Sequence, residues 1–369
     1  MSHVLFALTP GFTLEKWNKI GIMDRELIPY SHHINSGGNV TILECNKRFT
    51  NSIRYKNKFK VIRIPHWRII DVLSYFPMIF DKYDLIKTNQ TYKSDVFVKL
   101  ALKIKKPILL RCGYIGGEFY ETVNGLTEEV KTIQKEETWA FQNCTIASVP
   151  TSYLKEWVCD RYNVESKKVI VIPNFVDIEK FGPSKNKIKS KNFKICAIGR
   201  LVDVKKIDML INACLGINDL EVEIIGEGPE KENLKSLANK NHIPIRFHGQ
   251  TNHESLPKIL QSCDAYVICS KWEGHPKALI EAMATGLPCI GTDNVGIKNI
   301  LNNQNGLLVP NSIESLRAAL KSLLNDRGLC HQLGVEARKY VVKKYSLNEF
   351  LQKDQLAINT AIEYYNEFR

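Results

Sequence analysis

The chain is 369 residues long, enough for two domains of ordinary size, and carries a net charge of +12. Its composition, 44% hydrophobic and 24% charged with 21 Gly and 14 Pro, is globular and excludes disorder, collagen-like repeats and coiled coil. No apolar run reaches the roughly 18–20 residues of a membrane span, and Met1 to Leu8 lacks the basic flank of a signal peptide, so an intracellular, cytoplasmic protein is expected.

The first third alternates strands and helices. His3–Leu8 reads as a strand, a helical segment from Leu14 ends near Ser36-Gly37-Gly38, and Asn39–Glu44 reads as a β-branched strand. The basic excess is densest next. Arg54, Lys56, Lys58, Lys60, Arg63 and Arg68 follow one another without an acid, interleaved with Tyr55, Phe59 and Trp67. Such a stretch suits an anionic membrane surface or a phosphorylated substrate, or it is a solvated hairpin; nucleic acid is not the expected partner. The βα unit recurs at Tyr83–Lys87, Lys93–Ile104, Pro107–Leu110, Asn143–Val149 and Val169–Ile172, which implies a parallel sheet.

Pro173 to Asn192 is rich in Lys and poor in apolar residues after Phe181, and reads as an interdomain linker. Alternation then restarts with Phe193–Ile198, a helix from about Lys206, Leu220–Ile225, a helix from Pro229, Ile245–His248, Ala265–Cys269, a helix near Lys277, Pro288–Gly291 and Gly306–Val309. The expected fold is α/β, with two Rossmann-like doubly wound domains facing across a crevice. They cover residues 1–172 and 193–345, joined by the linker 173–192, with a helix over 346–369 packing back across the join. Ten cysteines are scattered without a C-x-x-C or zinc spacing, so buried free thiols are expected.

Three glycine-marked turns follow predicted strands of the second domain, where open α/β sheets bind ligands. In Gly199-Arg200-Leu201-Val202-Asp203-Val204-Lys205, a guanidinium and an ammonium stand at a strand end, suited to phosphate oxygens or simply to solvent. Ile225-Gly226-Glu227-Gly228-Pro229 is a tight strand-to-helix turn. The third turn, Ser270 to Lys277, places Glu273 in a loop and Glu281 on the helix that begins near Pro276. The unpaired N–H groups of that first turn favour an anion or hydroxyls, and two carboxylates flank them. There is no G-x-S-x-G elbow, Walker A, H-E-x-x-H or dinucleotide G-x-G-x-x-G loop. His275 is an acid/base candidate by residue type alone, and more often such a loop His is a polar contact.

Taken in order, these residues resemble glycosyltransferase family 4, the retaining group 1 glycosyltransferases of the GT-B fold. The run from Glu273 to Glu281 is similar to the family's E-x7-E motif. Gly199-Arg200-Leu201 with Lys205 is similar to its phosphate site, and Gly226-Glu227-Gly228-Pro229 to its G-x-G-P turn. Pro173-Asn174-Phe175-Val176-Asp177 resembles P-N-G-V-D, and Asn305-Gly306-Leu307-Leu308-Val309 matches N-G-L-L-V. Lys206 and Phe175 stand where Gly is usual. The first domain has only Gly11 after its first strand, and no His at a mid-domain strand end.

The resemblance implies a metal-independent hexosyltransferase with a nucleotide-sugar co-substrate, UDP-linked by expectation, and no cofactor. Arg200 and Lys205 would neutralise the departing diphosphate, and Glu273 would contact the transferred sugar. Glu281 would hold the ribose, with Gly226, Gly228, Gly249, Gly274, His275, Pro276, Lys277 and Ala278 around the donor. The His248-Gly249-Gln250 loop would lie near the base. Gly11, Asn89 and Arg111 are the acceptor-side candidates. The acceptor would be a glycan or a polyprenyl-diphosphate-linked sugar in bacterial surface polysaccharide or glycoconjugate assembly. The basic stretch would then hold the protein peripherally on the inner face of the plasma membrane. Two alternatives share these residues: a GT-B-fold sugar-nucleotide epimerase and a non-catalytic sugar-nucleotide-binding module.

Overall fold

A computed structural model describes residues 2–45, 50–55 (backbone alone), 59–64, 82–184 and 191–367. The chain divides into two compact units, Met1–Pro173 with Leu351–Arg369, and Asn174–Phe350.

The first unit is built on eight strands: β1 His3–Ala7, β2 Asn39–Cys45, β3 Thr50–Tyr55, β4 Phe59–Ile64, β5 Leu85–Thr88, β6 Ile108–Arg111, β7 Ile146–Val149 and β8 Val169–Val171. Their order is β3-β4-β2-β1-β5-β6-β7-β8. All pairings are parallel except β3 with β4. The chain turns away on both sides of β1, so the ends of β1 and β5 form a switch point. Because both faces of a parallel sheet are covered, its strands are continuous apolar runs. Leu5 and Ala7 pack on one face with Phe97 and Phe141, while Phe6 and Leu8 pack on the other with Leu14, Trp17 and Tyr30.

The second unit repeats the plan with β9 Phe193–Ile198, β10 Leu220–Ile225, β11 Ile245–Gly249, β12 Ala265–Ile268, β13 Cys289–Thr292 and β14 Leu307–Val309. The order is β11-β10-β9-β12-β13-β14, all parallel. Period-2 alternation again divides the core, with Ile195 and Ala197 on one face and Cys196 on the other.

Two expectations need correction. The segment expected as a linker is largely part of the second unit: Asn174, Phe175, Val176 and Phe181 are buried, Val176 bridges Ser346, and Phe175 lies 4.4 Å from the Phe350 ring. Lys185, Lys187 and Lys189 lie outside the described residues. The helix expected from Pro229 begins at Lys231, leaving Pro229 in the turn. The last helix, Leu347–Glu367, belongs to the first unit from Leu351 on, where Lys87 Nζ donates to Asp354 at 2.5 and 2.6 Å. Burial lowers the Lys87 pKa against the opposing pull of Asp354.

Of the basic stretch, Lys56, Lys58 and Arg68 lie outside the described residues, and for Arg54 only the backbone is described. Arg54 lies on β3, and Lys60 and Arg63 on its antiparallel partner β4. Lys60 is exposed, but Arg63 donates to the buried Glu44 at 2.6 Å and is committed within the fold.

Candidate active site

At the carboxyl rim of the second sheet, two turns meet backbone to backbone. Leu201 N donates to Glu227 O, and Glu230 N donates to Leu201 O. Gly226 has φ +144°, and a Cβ there would stand 1.8 Å from the Gly199 carbonyl oxygen. A Cβ at Gly228 would stand 2.2 Å from the Leu201 carbonyl. Both glycines, expected as donor contacts, are required by this loop-on-loop approach. Gly249, at φ +73°, faces the Glu227 carboxylate, which Lys231 holds at 2.6 Å. In the same loop the His248 ring pairs with Glu223.

The Glu273 loop is fixed from beneath. Thr292 Oγ1 and Asn294 Nδ2 donate to the Ser270 carbonyl at 3.2 and 2.6 Å, and Lys271 N donates to Val204 O. Gly296 packs against the Glu273 backbone, where a Cβ would lie 2.0 Å from its carbonyl oxygen. Glu273 Oε1 accepts from Lys205 Nζ at 2.5 Å and from Ser270 Oγ at 2.6 Å, leaving Oε2 out of both bonds. Lys205 is thereby held against the loop that carries Glu273. Arg200, in the same turn, is exposed and pairs with no acid among the described residues. Lys206, where Gly is usual, has a left-handed backbone at φ 49°, which explains that preference. Ser270, Thr292, Asn294 and Gly296 were missed in the sequence: Thr292, Asn294 and Gly296 act through the shape of the loop, and Ser270 through its bond to Glu273.

The helix Lys277–Ala284 starts at Pro276, and no side chain caps its first turn. An uncapped first turn is the kind of place where backbone donors meet an anion or a hydroxyl. One turn on, Glu281 is 2% exposed and accepts from His253 Nε2 at 2.8 Å. The His253 ring lies 5.1 Å from Phe181, and Lys180 Nζ stands 3.5 Å from its Nδ1. Nothing in the sequence pattern pairs His253 with Glu281, since 28 residues separate them.

His275 does not meet its acid/base candidacy. It is 6% exposed, its ring packs edge-on against Tyr345, and burial lowers its pKa to about 3. Its part at the rim is its backbone, whose carbonyl accepts from Asn174 Nδ2 at 2.8 Å. Gly274 and Pro276 are buried with it.

In the first unit, two acceptor-side candidates come together. Asn89 Oδ1 accepts from Thr9 N at 2.6 Å and Thr9 Oγ1 at 2.7 Å, and Arg111 Nη1 donates to the Asn89 carbonyl at 3.2 Å. These residues follow β1, end β6 and follow β5, around the switch point. Gly11 is exposed at φ +87°, with nothing within 4 Å of a Cβ placed there. A polar knot missed in the sequence lies beside them. Glu137, 4% exposed, accepts from Gly116 N, Gly117 N, Thr91 Oγ1 and Tyr162 OH at 2.8–2.9 Å. Burial pushes its pKa up against these four donors.

Residues 179–340 match the family model of glycosyl transferases group 1. This region is a group 1 glycosyltransferase domain. The UDP-Gal:alpha-D-GlcNAc-diphosphoundecaprenol alpha-1,3-galactosyltransferase of Escherichia coli is 27% identical over 293 residues, 74% of each chain. The poly(ribitol-phosphate) alpha-N-acetylglucosaminyltransferase of Staphylococcus aureus is 26% identical over 53% of this chain and 40% of that one. Among solved structures, Anabaena Alr3699/HepE in complex with UDP and glucose superposes with a TM-score of 0.77 at 15% identity, over 97% of this chain and 100% of that one. Sucrose-phosphate synthase of Thermosynechococcus elongatus superposes with a TM-score of 0.74 at 19% identity, over 96% and 98%. The glycosyltransferase fold is thus the expected one, two doubly wound α/β domains of the GT-B type. Among the described residues no helix is long and apolar enough to cross a membrane, and no three His, Cys, Asp or Glu residues cluster to hold a metal. The ten cysteines are free, eight of them buried.

Proposed function

We propose that this chain is a retaining, metal-independent hexosyltransferase using a UDP-linked sugar, and that its acceptor is a glycan or a polyprenyl-diphosphate-linked sugar of a bacterial surface polysaccharide. The observation that carries this reading is two cations in the turn after β9, Arg200 exposed and Lys205 fixed by Glu273 at 2.5 Å. As the bond from the sugar C1 to the diphosphate oxygen breaks, negative charge grows on the diphosphate. Two positive groups already in place stabilise it without a metal. The first turn of the helix Lys277–Ala284, which no side chain caps, would add backbone donors. Glu273 Oε2 is free of its two internal bonds and can accept from a sugar hydroxyl, and Glu281, oriented by His253, would accept from the ribose. The acceptor hydroxyl bonds to C1 on the face the diphosphate leaves, and its proton passes to the departing phosphate oxygen. Buried and neutral, His275 takes no part in that transfer.

The name of the E. coli relative supports a UDP-sugar donor and a lipid-linked acceptor, and that of the S. aureus relative a polymeric acceptor. Peripheral membrane attachment remains part of the proposal, resting on Lys60 and its basic neighbours without Arg63. The test is transfer from UDP-, GDP- and ADP-sugars to a synthetic GlcNAc-diphospho-lipid in EDTA, with the anomer assigned by NMR. An α-linked product from a UDP-sugar is expected. Inversion, or a strict Mg²⁺ requirement, would overturn the mechanism, and an epimerised donor without acceptor would favour the epimerase reading.

A further inference from the structure

A second polar feature stands on the rim of the first sheet, apart from Asn89 and Arg111. The loop after β5, the loop after β6 and the helix Glu128–Asn143 enclose a narrow cleft of about 20 Å³, lined among others by Gln90, Tyr92, Ser94, Tyr114, Tyr120 and Glu136. That space admits one water-sized group and no ring.

Ser94 is its unusual member. It precedes the helix Asp95–Ile104 in the position where a serine ordinarily accepts from the first-turn N–H groups, yet its side chain makes no such cap. The residue is 1% exposed, and its hydroxyl has no hydrogen-bond partner among the described residues. A buried hydroxyl without a partner is costly, so it stands ready for a partner from outside the fold. At the mouth, Tyr92 is 47% and Tyr114 36% exposed, large aromatic surface that soluble proteins usually cover.

The charges select among ligands. Asp95 is held by Lys99 at 2.7 Å, and Glu137 is saturated by its four donors, so both serve the walls. Glu136 is exposed, and Lys93 lies 5.2 Å over the Tyr92 ring. Carboxylates outnumber the one lysine among the lining residues, which disfavours a phosphate or diphosphate.

We infer that this cleft is a saccharide subsite: one hydroxyl or hydroxymethyl group of an uncharged sugar enters to Ser94, and the apolar face of its ring covers Tyr92 and Tyr114. The inference rests on the transferase reading for the source of that sugar, a residue of the glycan acceptor. It assigns recognition to side chains none of the family motifs contain.

The experiment is saturation-transfer NMR on the whole chain held in excess UDP, with the methyl α-glycosides of glucose, galactose and N-acetylglucosamine as probes. UDP keeps the donor site occupied, and its own saturation transfer reports on the second unit in the same tube. At least one glycoside should receive saturation, reduced about fivefold or more in Tyr92→Ala and in Ser94→Ala but largely kept in Tyr92→Phe. Transfer to none of the glycosides, or transfer unchanged in Tyr92→Ala and Ser94→Ala, would overturn the subsite. Loss of the UDP signal in wild type would instead strike at the donor reading.

Discussion

In the second unit the turns after β9 and β10 are locked backbone to backbone, through Gly226 on Gly199 and Gly228 on Leu201. In the first unit the corresponding turns are tied by side chains, Thr9 to Asn89, Arg111 to Asn89, and four donors to Glu137. The two sheets have the same parallel plan, so the difference lies in what their rims must hold. Backbone contact leaves no room for a side chain at Gly226 or Gly228 and fixes the turn from which Arg200 and Lys205 project, the proposed diphosphate site. Side-chain ties can be exchanged residue by residue without moving the backbone of the sheet.

That contrast can be broken by substitution. Gly226→Ala should destabilise by about 3 kcal/mol or more, because its Cβ would overlap the Gly199 carbonyl and neither backbone can move alone. Gly11→Ala, with open space around it, should cost about 1 kcal/mol of backbone strain. Equal losses in chemical denaturation would erase the distinction.

Glu137→Gln tests the tie in the first unit. An amide N–H₂ would face donors, leaving at least one buried N–H or O–H unmatched at a cost of about 2 kcal/mol. Hydrogen exchange should accelerate in the helices Gly116–Asn124 and Glu128–Asn143, while protection around Lys277–Ala284 stays unchanged.

His253 sharpens the picture of the second rim. If Glu281 holds the ribose as proposed, His253→Ala should raise the donor KM about tenfold with kcat little changed, because such contacts vary little during the reaction. His253→Gln, which keeps a donor toward Glu281, should recover most of that loss. A fall in kcat at constant KM would contradict the role.

A pH-dependent effect belongs to His275. Its pKa in the folded chain, about 3, lies below the ordinary 6.5, so between those values the unfolded chain binds the extra proton. Stability therefore rises with pH across that window, by at most about 1.4 kcal/mol per unit from this group. His275→Leu should flatten that part of the slope, measured by denaturation at pH 4, 5 and 6.

The strands and the loop position of Glu273 were legible because parallel strands are apolar runs and Gly274 with Pro276 interrupts the helix. The Glu281 helix was legible for the same reason. Lys206 illustrates the next level: its left-handed backbone is invisible in the chain and shows only as a departure from a glycine-bearing pattern. Partners far apart in sequence were not legible at all. His253 with Glu281, Gly296 beneath Glu273, and Lys87 with Asp354, 267 residues apart, are set by the packing of helices on sheets. Pro229 misled because proline marks a helix start by its fixed φ, yet here the close approach of Gly228 to Leu201 delays the helix to Lys231.

The central claim is that Arg200 and Lys205 form the diphosphate site. Calorimetric titration of UDP into wild type and the Arg200→Ala/Lys205→Ala variant, both in EDTA, tests it directly. Wild type should bind UDP without metal, and the variant should bind about 100-fold or more weakly at an unchanged melting temperature. Equal affinity in the two proteins would contradict the site.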